Sequence, residues 1–246
     1  MFQYLFADLH IHTVLSPCAE VEMIPPLIIR RARELGLSLI AITDHNSAEN
    51  VAAVIEAAEG SGITVLPGVE VQTREEVHLL ALFDKVEQAL AWQAEVYAHL
   101  PDLKNDEDYF GAQFVVDATG EYVRSNERLL LTSTDLSLEA AVVGVRALGG
   151  LVIPAHVDRT AFSLIANLGF IPPDLDLPAV EIFRLSQEAE VRQRFPQLKG
   201  YTFIRDGDAH RLSEMIACTM FKVAAPTVAE LTLALRGEEG RRVEIT

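Results

Sequence analysis

The chain has 246 residues, and half of them are hydrophobic. This is enough for one large core, and α/β barrels reach this size as a single domain, so we expect one domain over residues 1–246. The formal net charge is −16, and no Lys/Arg-rich tract occurs. The acidic balance argues against nucleic acid as a partner, because the basic surface that usually binds phosphates is missing.

The two cysteines, Cys18 and Cys218, are far apart and offer no disulfide framework. The N-terminal residues contain no basic segment followed by a long apolar stretch. No segment approaches the roughly 20 apolar residues that a membrane span needs. We therefore expect a cytoplasmic protein with no membrane partner.

Apolar β-rich runs alternate with helix-like segments along the chain. Strands are predicted at 4–9, 38–43, 64–71, 77–83, 151–155, 179–183, 202–204 and 217–222. Helices are predicted at 25–35, 48–59, 86–98, 138–148, 163–168, 186–194 and 228–236. This rhythm predicts βα units and a mostly parallel sheet, wound into a barrel or a doubly wound fold. In both folds the carboxyl ends of the strands carry the functional site.

Residues 101–134 form a polar stretch that interrupts the alternation of strands and helices. Within it, 112–117 and 121–124 flank Ala118-Thr119-Gly120 as the arms of a hairpin. We interpret the segment as an insertion into the domain. A lid over the site and a plain surface excursion are both compatible with its length.

Six of the seven histidines lie within or just after predicted strands: His10, His12, His45, His78, His156 and His210. The first two are two residues apart on one strand, so both imidazoles should project from the same face. Asp208 and His210 repeat this spacing. Since neutral imidazole is the commonest metal ligand in proteins, convergence of these residues at one face predicts a metal site.

Glu70 and His78 flank a short turn at Thr73-Arg74-Glu75. A hairpin centred on Arg74 places residue 70 directly opposite residue 78, about 4.5–5.5 Å apart at Cβ. One ion can then bind both side chains.

The ordered motifs resemble those of the PHP (polymerase and histidinol phosphatase) superfamily over residues 5–210. They are Asp8-Leu9-His10-Ile11-His12-Thr13, Thr43-Asp44-His45, Pro67-Gly68-Val69-Glu70, Val77-His78-Leu79-Leu80, Pro154-Ala155-His156 and Asp208-Ala209-His210. The resemblance implies an α/β fold, a distorted (β/α)7 TIM-like barrel with an insertion. It also implies two or three divalent metal ions (Zn, Mn or Fe) at the C-terminal face.

Carried over by position, the resemblance implies three ligand sets. One ion would bind His10, His12, Glu70 and Asp208. A second would bind Glu70, His78 and His156, with Glu70 bridging. A third would bind His45 and His210, with one further ligand from the segment after Thr13.

That further ligand is where the chain departs from the family. The family usually has Asp or His in this segment, commonly within a Ser-Asp-Gly run, but here the run is Ser16-Pro17-Cys18-Ala19-Glu20. Cys18 stands where histidinol-phosphatase-like members have a His, and Glu20 is a second candidate ligand. A Cys18 thiolate would favour zinc or iron, whereas the alternative is a buried, small apolar residue.

The resemblance implies a metal-dependent phosphoric ester hydrolase that acts on a small phosphorylated substrate through a metal-bridging hydroxide. Asp44 adjoins a ligand and is expected to orient an imidazole. Arg159 and Arg184 are candidates for binding the phosphate, because a guanidinium can donate two parallel hydrogen bonds to it. Arg211 is a weaker candidate. Each of the three can equally be a surface ion-pair residue.

Three other functions stay open. The first is 3′–5′ exonuclease activity on nucleic acid, as in polymerase-associated PHP domains, against which the acidic balance argues. The second is a metal-dependent amidohydrolase, but the bridging carboxylated Lys common in that class has no evident counterpart here. The third is a non-catalytic metal-binding scaffold, which the departure at Pro17 favours.

Overall fold

A computed structural model describes residues 1–246, with eleven β-strands and eight α-helices. The strands are β1 Gln3–Ile11, β2 Leu39–Ile42, β3 Thr64–Gln72, β4 His78–Leu82, β5 Phe114–Val116, β6 Tyr122–Ser125, β7 Leu151–Pro154, β8 Ala179–Ile182, β9 Thr202–Arg205, β10 Thr219–Val223 and β11 Arg242–Ile245. The helices are α1 Pro25–Glu34, α2 Val51–Ala57, α3 Val86–His99, α4 Glu107–Phe110, α5 Leu138–Ala147, α6 Leu164–Leu168, α7 Glu188–Arg194 and α8 Val228–Arg236. Every predicted strand and helix overlaps an observed one, whereas α4 and β11 were not predicted.

Seven strands form one curled sheet in the order β11-β10-β1-β2-β3-β4-β7, and β8 and β9 form a separate parallel pair. β1, β2 and β3 are parallel, but β4, β7, β10 and β11 join their neighbours antiparallel. The prediction of a mostly parallel sheet is therefore wrong, because an apolar run indicates that a strand is buried without indicating its direction. The α/β class is confirmed. The complete (β/α)7 barrel is not, since the sheet is a curled half-barrel.

Apolar side chains pack on both faces of this sheet. Alternate residues of the strands, such as Leu5, Ala7 and Leu9 of β1, form a cluster on the concave face that Leu231 of α8 also joins. A larger cluster lies between the convex face and the other helices, and Ile11 belongs to it. We call the part of the concave face that these apolar residues fill the apolar end.

A bulge in β1 explains how histidines come to lie beyond the apolar end. The register of β1 on β2 shifts between Asp8 and Ile11. An extra residue at a bulge reverses the alternation of side chains. Leu9 therefore faces the concave cluster while Ile11 packs outside, and His10 and His12 turn inward. We call the part of the concave face that contains these imidazoles the polar end.

The predicted hairpin at 112–124 is confirmed as β5 and β6, which pair antiparallel. It packs on the body of the domain rather than projecting from it. The Asn50 side chain donates to the Phe114 carbonyl at 3.0 Å and accepts from the Val116 amide at 3.0 Å. Leu131, Thr132 and Ser133, at the end of the same segment, reach the cavity at the polar end.

The chain contains no helix that combines the length and the apolar composition required to cross a lipid bilayer.

Candidate metal centre

Histidine and carboxylate side chains from several strand ends meet at the polar end. They form three groups, each with ligand atoms within 4.8 Å of one another: His10, His12, Glu70 and Asp208; His45, Glu70 and His78; and His12, His45 and His210. The first group is the set that the family resemblance implies for the first ion. In the second group His45 joins Glu70 and His78. His156 also lies close, with Nε2 3.3 Å from Glu70 Oε1.

His10 and His12 point their Nε2 atoms at each other across 3.2 Å. His10 Nδ1 lies 3.0 Å from Glu181 Oε1, and His12 Nδ1 lies 2.9 Å from Ser16 Oγ. If both Nδ1 atoms donate to these oxygens, each Nε2 presents a lone pair to the other. Two lone pairs at this distance repel, so a proton or a metal cation must lie between them. The donor set fits a divalent cation.

Glu70 is the centre of the cluster. Its Oε1 lies 2.8 Å from His78 Nδ1, and its Oε2 lies 2.8 Å from His45 Nδ1. Burial opposes charge on this carboxylate, but the neighbouring imidazoles outweigh it and hold the pKa of Glu70 well below its usual value. The buried atoms His78 Nε2 and His156 Nδ1 have no hydrogen-bond partner. An anionic carboxylate beside unpartnered imidazole nitrogens is a donor set suited to a bridging position between two ions.

The β3–β4 hairpin differs in register from the prediction. Gln72 pairs with His78, and Glu70 pairs with Leu80, so the turn is centred on Glu75 rather than Arg74. The shift is two residues, which keeps Glu70 and His78 on the same face because side chains alternate with a period of two. The predicted contact therefore forms diagonally rather than directly across the ladder.

Glu181 of β8 is a functional candidate that the sequence analysis missed. Its carboxylate accepts from His10 Nδ1, and its Oε2 accepts from the His156 backbone amide at 2.8 Å. The side chain is buried. It fixes the ring of one candidate ligand and the backbone of another, the arrangement usual behind ligating histidines. The sequence signal that could have identified Glu181 is a single carboxylate within the apolar run 179–183.

Asp44 contacts no imidazole directly and instead positions His12 through the Ser16 hydroxyl. Its carboxylate accepts hydrogen bonds of 2.7 Å from the Thr13 amide, the Thr13 hydroxyl and the Ser16 hydroxyl. Ser16 Oγ in turn accepts from His12 Nδ1 and from the His45 amide. Because the Ser16 proton is committed to Asp44, its oxygen must act as acceptor, which directs the His12 lone pair into the cluster.

Cys18, and not Glu20, lies beside the third group. Cys18 is exposed at the cavity beside His45 and His210. Desolvation opposes its ionisation, but these two imidazoles lower the pKa of the Cys18 thiol to about 6. Glu20 instead pairs with Arg211, its Oε1 lying 3.2 Å from Nε. Glu20 is therefore occupied outside the cluster, and Cys18 is not the buried apolar residue of the alternative prediction.

Charge on the imidazoles differs across the cluster. Burial opposes protonation of His10, His45 and His210, but neighbouring carboxylates and the Cys18 thiol outweigh it and raise their pKa values. Burial lowers the pKa of His78 to about 4. A bound ion would therefore replace protons at some ligands and meet a neutral imidazole at another.

The three arginine candidates lie in different places. Arg159 lines the cavity, and its Nη1 donates to Asp208 Oδ2 at 2.6 Å. Arg184 donates to Glu214 Oε1 at 2.7 Å and to the Gly207 carbonyl, and it does not line the cavity. Arg211 pairs with Glu20. Only the first of these cations faces the candidate ligands.

A cavity of about 450 Å³ opens over the cluster. Its lining includes the candidate ligands His45, His78, His156 and Asp208, together with Phe162. The Phe162 side chain is 41% exposed, and its backbone has a φ of 55°. That left-handed conformation costs a bulky residue on the order of 1–3 kcal/mol and is most often kept at functional sites. The sequence gives no local indication of this conformation.

Comparison with known proteins finds relatives whose printed functions differ from one another. A family model described as PHP domain matches residues 8–137, more than half of the chain. "Uncharacterized protein YqxK" of Bacillus subtilis (strain 168) is 24% identical over 257 residues, which cover 97% of this chain and 64% of that protein. The 3′,5′-nucleoside bisphosphate phosphatase of Chromobacterium violaceum is 39% identical over 88 residues, 34% of this chain and 30% of that one.

Among solved structures, the lesion-specific endonuclease PfuEndoQ from Pyrococcus furiosus superposes with a TM-score of 0.73 at 19% identity. The superposition covers 98% of this chain and 58% of that one. This chain thus spans less than two thirds of the length of each of these three proteins. The match to the family model confirms the predicted resemblance, and the chain belongs to the PHP domain family.

Proposed function

We propose that this chain is a metal-dependent phosphoesterase that hydrolyses a small phosphorylated substrate at the polar end. The observation that carries the proposal is the pair of Nε2 atoms of His10 and His12, 3.2 Å apart beside Glu70 and Asp208. Bound divalent ions would activate water as the nucleophile and offset the charge that develops on the phosphoryl oxygens.

The residues of the chain have separate tasks in this proposal. His10, His12, Glu70, His78, His156 and Asp208 hold two ions, and His45, His210 and Cys18 are the ligands for a third. Glu181 and Ser16 fix the rings of His10 and His12, so that their lone pairs face the ions. Arg159, the cavity-lining cation, binds a non-bridging oxygen of the phosphate.

The shape of the site supports a small substrate. The cavity of about 450 Å³ lies within the range of small-molecule sites, roughly 300–1,000 Å³. We propose that residues 101–134, whose last residues line the cavity, act as one wall of it within a single domain over residues 1–246.

A nucleic-acid substrate is a second candidate. The expectation that acidic charge argues against nucleic acid is not supported, because a protein of similar fold whose superposition covers 98% of this chain is an endonuclease. If only the end of a nucleic-acid strand enters the cavity, few phosphates contact the protein surface outside it. The net charge of the protein is then a weak argument against a nucleic-acid substrate.

The test is hydrolysis by purified protein, first stripped of metal by chelator and then supplied with Mn²⁺ or Zn²⁺. Turnover of a chromogenic phosphomonoester should appear only with metal, and should disappear in His156→Ala and Asp208→Asn. Arg30→Ala is the control, because that guanidinium lies exposed on α1 and pairs there with Glu34. Preferential digestion of a labelled oligonucleotide would favour the second candidate, and turnover that persists in both site variants would contradict the proposal.

A further inference from the structure

Packing does not explain the position of the Phe162 side chain. Its ring is 41% exposed, and one face stacks on His78 with centroids 5.0 Å apart and planes at 23°. The part of the ring that His78 leaves uncovered lines the cavity above the metal centre. A phenylalanine that contributes chiefly to the core would be buried, as Phe83 and Phe221 are.

The backbone at Phe162 adds a second observation. Its φ of 55° lies in the left-handed region, where glycine or asparagine is usual and a bulky side chain is strained. The turn is held by its neighbours: the Ser163 hydroxyl donates to the Arg159 carbonyl at 2.8 Å, and the His78 amide donates to the Phe162 carbonyl at 3.1 Å. These contacts hold an exposed aromatic ring in the cavity despite the strain.

We propose that Phe162 is a stacking platform for a nucleobase, so that the phosphoester hydrolysed at this site carries a base. The proposal rests on the proposed function and deepens it. The same cavity offers a cation, Arg159, for the phosphate and an open aromatic face for a flat ring. Stacking tolerates all bases because each has a π-face, and Phe162 therefore selects nucleotides over sugar phosphates without reading the sequence of a chain.

The experiment compares two substrates that differ only in the base, adenosine 5′-monophosphate and ribose 5-phosphate, in the metal-loaded protein. We expect kcat/KM to favour the nucleotide. Phe162→Ala should lower the ratio of the two kcat/KM values by roughly 5- to 150-fold, the factor that corresponds to loss of one stacked base. Phe162→Trp should retain the ratio, and Phe170→Ala should not change it, because Phe170 is 54% exposed away from the cavity.

Phe162→Gly separates stacking from folding. Glycine adopts a φ of 55° without strain, so this variant should keep the wild-type Tm and still lose the preference for the nucleotide. If the ring only supports His78, both substrates lose activity equally and the ratio stays constant. A constant ratio in Phe162→Ala and Phe162→Gly would overturn the proposal.

Calorimetric binding of adenosine 5′-monophosphate distinguishes this inference from the proposed function. Base-dependent binding that weakens in Phe162→Ala, without hydrolysis of either substrate, would support the platform and contradict the phosphoesterase. Hydrolysis of both substrates with equal affinity in wild type and variant would support the phosphoesterase and contradict the platform. Absence of both binding and hydrolysis would contradict both.

Discussion

The two ends of the concave face use the same strands for opposite purposes. At the apolar end, Leu5, Ala7 and Leu9 of β1 pack with Leu231 of α8 in a cluster of buried hydrophobic side chains. At the polar end, the last residues of β1 and the residue after it include two buried imidazoles, His10 and His12, whose Nε2 atoms face each other. The contrast shows that the apolar end stabilises the fold. The polar end instead brings together nitrogen atoms that repel one another or lack hydrogen-bond partners, and these need a bound cation or a proton between them.

The largest effect is expected from the centre of the polar end. Glu70→Gln removes the charge that two ions are proposed to share, so metal-supported hydrolysis should fall by at least about 10³-fold, more than outer residues of metal sites typically cause. Steady-state kinetics with saturating metal measures the loss. Glu59→Gln, on the surface, should keep wild-type rates. A Glu70→Gln protein of near-normal activity would show that the carboxylate is not shared by catalytic ions.

The apolar end should respond in stability and not in metal content. Leu231→Ala leaves a cavity under the half-barrel and should lower the free energy of unfolding by about 2–5 kcal/mol, measured by denaturant titration. Leu90→Ala, on a partly exposed face of α3, is the matched control with a much smaller loss. The folded fraction of Leu231→Ala should still bind metal. If metal binding falls in step with stability, the two ends are not separable.

Glu181→Gln tests the carboxylate that holds the ring of His10 and the backbone of His156. The carboxylate accepts from both His10 Nδ1 and the His156 amide, whereas the glutamine amide has a single acceptor oxygen and lacks the negative charge. Metal affinity should therefore weaken by about 10- to 100-fold, measured by competition with a chelating dye. Glu190→Gln, at an exposed position of α7, should bind as wild type does. Unchanged affinity in Glu181→Gln would remove this carboxylate from the site.

The last effect concerns protons, and its size depends on how many of them the bound ion displaces. His10, His45 and His210 have raised pKa values, so without metal they hold protons near neutral pH that a bound ion must displace. Metal affinity should accordingly fall as the pH is lowered, about tenfold per pH unit for each proton released. Calorimetry in buffers of different ionisation enthalpy counts these protons. Binding heats that do not depend on the buffer would contradict proton displacement.

Much of the fold follows from the sequence because apolar runs predict strand positions well. The direction of β4 was predicted from its hairpin with β3, but that of β10 was not, since burial of β10 is compatible with either orientation. The bulge in β1 also could not be predicted from the sequence. It depends on the pairing with β2 rather than on local composition.

The candidate site was predictable where a residue belonged to a short motif at a strand end, as His10, His45 and His156 do. Glu181 escaped because it lies within an apolar strand and belongs to no motif. The orientation of Arg184 and the left-handed backbone of Phe162 depend on tertiary contacts with Glu214 and His78, which no local pattern encodes.

The most direct measurement is anomalous diffraction from crystals grown with Mn²⁺ or Zn²⁺ and without chelator. We expect at least one strong anomalous peak about 2.0–2.3 Å from Nε2 of His10, Nε2 of His12 and a carboxylate oxygen of Asp208. Well-ordered side chains at these positions with no anomalous peak among them, under saturating metal, would contradict the metal centre on which the proposed function rests.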